Sequence, residues 1–177
     1  MFQELDLVRL PAGIPEAGVT PGELATVLLV HAEGEAYEIE VCDNEGRSIF
    51  LGAVRQSKTP MSILKRLPND AVVKVMTDYH CHPLWITTAA GTEPVDPVSL
   101  PISMDLANSL EQWAADYDAT VNMDDPASTQ FPSDEHERRF ITTGAALAAD
   151  LAAQMPQFCV QYFTPGRGVQ DVSPPQL

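Results

Sequence analysis

The sequence predicts an α+β protein: an N-terminal small SH3-like β-barrel followed by a β-α-α-β module. Three observations carry this. Residues 1–56 hold four or five short apolar runs separated by turn residues, the pattern of a small all-β unit. Residues 103–155 hold two stretches with apolar residues at helical spacing. An apolar β-type run stands on each side of that helical pair.

In the first module, residues 4–10 read as a strand that Pro11-Ala12-Gly13 breaks. Pro21-Gly22 is a turn dipeptide, in which Pro presets φ and Gly accepts a positive φ. Residues 25–31 form an apolar, β-branched run. Tyr37, Ile39 and Val41 alternate with Glu38 and Glu40, the period of a half-buried strand. Asp43-Asn44-Glu45-Gly46 then turns the chain into a strand over residues 47–54. Closure into a barrel would hide the edges of strands this short.

Residues 57–69 read as a linker, polar at first and interrupted by Pro60. The second module, residues 70–163, opens with a strand over 71–79. Pro94, Pro97 and Pro101 make residues 91–102 an extended loop. Ser103 is placed to N-cap a helix, with Asp105 favourable to its dipole. Leu106, Leu110, Trp113 and Tyr117 form that helix's apolar stripe. Asp124-Asp125-Pro126 ends the segment. Ser133 caps a second helix, whose stripe is Phe140, Gly144, Leu147, Leu151 and Met155. Residues 158–163 form the last strand, expected to pair with the first. Residues 164–177 are too poor in apolar side chains to fold and read as a disordered tail.

Two stretches carry a resemblance. PGELATVLLVHAEGEAYEIEV, within residues 1–55, resembles a short bacterial family known as a domain of unknown function, differing from it at Glu23-Leu24-Ala25. Such proteins are often encoded beside nuclease-like toxins, which implies an antitoxin or immunity role. Over residues 70–163 the chain resembles a family of small uncharacterised bacterial proteins. The likeness rests on Asp78-Tyr79-x-Cys81-x-Pro83-Leu84-Trp85, Leu100-Pro101-x-Ser103 and the string from Trp113 to Pro126. No activity comes with that second likeness.

Charge restricts the partner class. The chain has 10 Lys and Arg against 25 Asp and Glu, a net charge of −15. Nucleic acid and anionic membrane are excluded as direct partners, because binding phosphate needs cations. Between Val75 and Glu137 there is no Lys or Arg, while twelve Asp and Glu fall in the span. A basic protein is the electrostatic complement of such a stretch. The N-terminus, MFQELDLVRLPAG, has acids where a secretion signal has bases, and no apolar run is long enough for a bilayer. Three widely spaced cysteines suit a reducing compartment. The expected location is the cytoplasm.

No catalytic motif is present: there is no nucleophile elbow, no phosphate loop and no dinucleotide fingerprint. The expected function is a non-enzymatic, immunity- or antitoxin-like inhibitor of a basic, nuclease-type toxin, without cofactor or metal. The expected contact residues are Glu111, Asp116, Asp118, Asp124 and Asp125, with Trp85 as an exposed aromatic anchor. The alternative is a small metal-dependent enzyme. Asp78, His80 and His82 stand at i, i+2 and i+4 and would share one face of a continuing strand, with Asp124 as a further carboxylate.

Overall fold

The computed structural model describes residues 1–121, 130–164 and 167–173. The chain divides into two units, Met1–Lys65 and Arg66–Leu177. The first is built from β1 (Leu7–Arg9), β2 (Leu24–His31), β3 (Ala36–Cys42), β4 (Ser48–Arg55) and β5 (Ser62–Ile63). These form one antiparallel sheet in the order β4-β3-β2-β1-β5. The alternation in β3 works as the sequence implies. Tyr37, Ile39 and Val41 are buried in one apolar core with Val8, Ala25 and Val27, while Glu38 and Glu40 stay half-exposed. Gly22 turns at φ 89°, where a Cβ would be strained. The strands do not close into a barrel. β4 and β5 end the ladder on opposite sides, and the two residues of β5 pair only with β1. The segment read as a linker thus supplies a strand, and the unit runs past residues 56–60 to Lys65.

The second unit contains β6 (Val72–Val75), β7 (Leu84–Thr88), β8 (Gly91–Val95), α1 (Met104–Asp118), α2 (Asp134–Gln154), β9 (Cys159–Thr164) and β10 (Gly168–Val172). Its sheet has the order β10-β9-β6-β7-β8. The expected pairing of first and last strands is made by β6 and β9, and it is parallel. The hairpin β7–β8 and the strand β10 exceed the β-α-α-β pattern. Residues 91–95, read as loop because of Pro94, form the sheet-edge strand β8. An edge tolerates proline, because the missing amide need not donate to a further strand. Residues 168–172, read as tail, add β10 at the opposite edge.

Both helices begin where the caps predict. Ser103 Oγ accepts from the Leu106 amide and Ser133 Oγ from the His136 amide. Leu106, Leu110 and Trp113 of α1 and Phe140, Leu147 and Leu151 of α2 share one core with Val73, Val75, Leu84, Ile86, Val160 and Tyr162 of the sheet. Gly144 lets the layers close: a Cβ there would lie 2.5 Å from Trp113 and 2.6 Å from the Tyr162 hydroxyl. The start of α1 is tied to the end of α2, where Gln154 accepts from the Ser103 amide at 2.7 Å and donates to its hydroxyl at 3.2 Å. Burying one stripe of α1 turns its polar residues outward together, which places the candidate site.

Candidate functional site

α1 buries Leu106, Ala107, Leu110, Trp113 and Ala114. The other positions carry Asp105, Gln112 and Asp116 exposed and Glu111 and Asp118 partly so. Three of the expected contact residues, Glu111, Asp116 and Asp118, therefore lie outside the buried stripe, Glu111 and Asp118 on one flank of it and Asp116, about 140° round the helix from Glu111, on the other. Asp124 and Asp125 lie outside the described residues.

The carboxylates of α1 differ in their ties. Asp118 and Glu111 face the connection between β6 and β7. Asp118 Oδ1 accepts the backbone N–H of His80 at 2.9 Å, and its Oδ2 lies 3.9 Å from His80 Nδ1. His82 Nδ1 is 2.8 Å from Glu111 Oε1. Asp116 accepts from Gln112, one turn back on the same helix, at 3.0 Å. It also lines a cleft of about 250 Å³ between the helices, with Trp113, Phe131, His136, Arg139 and Phe140.

Tyr117 and Tyr79 stack beneath this face with ring centroids 4.6 Å apart. The Tyr79 hydroxyl is 3.2 Å from that of Thr120. Burial, then the hydrogen bond to Tyr79, then the charges of Asp78 and Asp118 push the Tyr117 phenol up to about 12. This places a protonated, aromatic support under the acidic surface.

The triad Asp78, His80 and His82 is not assembled. β6 ends at Val75, so the alternation that would align the three is lost. His80 takes a left-handed φ of 58°, and Asp78 accepts from the adjacent Tyr79 amide. His82 instead converges with Asp96 and Glu111, whose potential ligand atoms all lie within 4.8 Å of one another. No local spacing signals this, because the three stand in a strand connection, just after β8 and in mid-helix. Trp85, expected as an exposed aromatic anchor, has only intermediate exposure. It is half-buried on the sheet, paired with Lys74 and Pro94, and its indole N–H donates to the Met76 carbonyl at 3.1 Å. In the sequence, Pro83 beside Trp85 and the loop expected after it are what point to an exposed position.

The geometry defines an acidic α+β protein whose convergent polar side chains lie on an open surface beside a shallow cleft. The chain belongs to the Serratia CdiI immunity protein-like family, whose model matches residues 71–165, just over half of its length. Residues 4–59 match a domain of unknown function (DUF4926). Both likenesses drawn from the residues correspond to these two families. No curated protein matches the chain. Among the described residues, no helix is long and apolar enough to cross a membrane.

Proposed function

We propose that this protein is an immunity protein: a non-enzymatic inhibitor that binds a toxin and blocks it. The family match over residues 71–165 carries the reading. The charge distribution extends it to a basic, nuclease-type target met in the cytoplasm. A nuclease cleft must hold phosphate and is therefore basic. Carboxylates presented in place of phosphates would occlude it. Helix α1 offers Glu111 and Asp118 on one flank and Asp116 on the other, within a stretch from Val75 to Glu137 that has no Lys or Arg. Asp124 and Asp125 follow in sequence and would extend the same charge. The Asp116 cleft adds aromatic walls able to receive a side chain of the partner.

The test first identifies a toxin that this chain binds and neutralises, and then measures that pair. Changing Asp116, Asp118, Asp124 and Asp125 together to the amides should leave the fold intact. It should also slow association and flatten the dependence of rate on salt. Normal binding and protection by this quadruple variant, with unchanged salt dependence, would show the surface to be merely solvated.

A further inference from the structure

We propose that His82, Asp96 and Glu111 form a binding site for a divalent transition-metal ion, with zinc the best fit. The cluster is independent of the immunity reading and departs from the expectation that no metal binds. Its donors come from three separately anchored places. His82 follows the left-handed turn at His80 and precedes the buried Pro83. Asp96 directly follows β8, and one of its carboxylate oxygens accepts the Val98 amide at 2.9 Å. Glu111 lies mid-helix in α1, fixed by the buried Leu110 on one side and the core stripe beneath. Their potential ligand atoms lie within 4.8 Å of one another.

One imidazole and two carboxylates are a borderline donor set suited to zinc and unsuited to a purely oxygen-seeking ion. At metal–ligand distances of about 2.0–2.2 Å, tetrahedral donors sit roughly 3.4 Å apart. The 2.8 Å contact between His82 and Glu111 would open by about half an ångström and the widest spacing would close. Both are rotations of side chains that are at least partly exposed. Charge favours occupancy. Two carboxylates meet a single imidazole, which even when protonated neutralises only one of them. A dication, bound with the imidazole neutral, neutralises both. Three protein ligands leave a position for water or for a donor from outside.

The experiment titrates the full chain, purified without chelator and kept reduced, with Co²⁺ by absorption and Zn²⁺ by calorimetry. The expected result is saturable binding of about one ion per chain. His82→Ala and Asp96→Asn should each weaken it roughly tenfold or more, about 1.4 kcal/mol per decade. Both variants should keep the wild-type circular dichroism. Replacing Cys42, Cys81 and Cys159 by Ser should change nothing, and no thiolate-to-cobalt charge-transfer band should appear. Absence of saturable binding would overturn the proposal. So would binding indifferent to His82→Ala, or binding lost with the cysteines.

Discussion

Trp113→Ala tests the core on which the acidic face rests. The indole is 3% exposed, stacked on Phe140 at 4.7 Å and tilted against Tyr162 at 6.2 Å. Its N–H donates to the Phe140 carbonyl at 3.0 Å. Truncating a buried Trp to Ala costs about 3–5 kcal/mol through lost transfer energy and residual cavity. The Phe140 stack is worth about 0.5–1.5 kcal/mol beyond area, which places the cost in the upper half of that range. A domain of this size holds only about 5–15 kcal/mol in all, so the change removes a large share of the unit's stability. Urea unfolding followed by tryptophan fluorescence is selective. The chain has two Trp, and both Trp85 and Trp113 lie in the second unit, so Trp85 still reports on it in the variant. A loss below about 1 kcal/mol would refute the packing argument, because no well-filled core tolerates that cavity so cheaply.

Other outcomes follow from the same geometry. Gly144→Ala should destabilise the second unit by about 1–2 kcal/mol in urea titrations. The clash with Trp113 and with Tyr162, whose hydroxyl donates to the Ile141 carbonyl, outweighs the helix-propensity gain of about 1 kcal/mol. Combining it with Trp113→Ala should give strongly non-additive losses, since one of the two clashes is then relieved. Tyr117 yields an alkaline signature. Burial pushes its folded phenol up to about 12 against about 10 when unfolded, so the unfolded chain should release its proton first. The stabilisation is complete below about pH 10 and is lost as pH rises toward 12. Tyr117→Phe should flatten that part of the stability–pH curve, and an unchanged slope would place the phenol in water.

Much of this fold was legible because its signals are local. The caps Ser103 and Ser133 set both helix starts, and the alternation of Tyr37, Ile39 and Val41 fixed the facing of β3. The errors arise where long-range pairing overrides local signals. Pro94 marks a loop in sequence and an edge strand in the sheet, where its missing amide costs no ladder bond. β10 is too polar to announce itself and exists by pairing with β9. That Glu111, Asp116 and Asp118 lie outside the core of α1 was readable from the apolar stripe. The meeting of His82 with Glu111 and Asp96 was not, because it depends on where β6 stops and how the following turn reverses.

The carboxylates of α1 must differ in what they lend a partner. Asp118 already holds the His80 amide, and Glu111 is engaged by His82, so each has a structural tie to the strand connection. Asp116 bonds to Gln112 on its own helix and borders the aromatic cleft. At about 0.15 M salt, screening sets in beyond roughly 8 Å, so an approaching basic surface senses all three charges alike at first. Asp116→Asn and Asp118→Asn should therefore slow association with a basic toxin to similar degrees. Dissociation should separate them. A carboxylate desolvated against the partner dominates the off-rate, and Asp116 is the one that shares a cleft with the Trp113, Phe131 and Phe140 rings as well as with Arg139. Asp118→Asn keeps an oxygen for the His80 amide and should leave dissociation nearly unchanged. Surface plasmon resonance over a series of salt concentrations would resolve both rates. Faster dissociation for Asp118→Asn than for Asp116→Asn would move the docking centre from the cleft to the strand connection, where the His82 cluster lies.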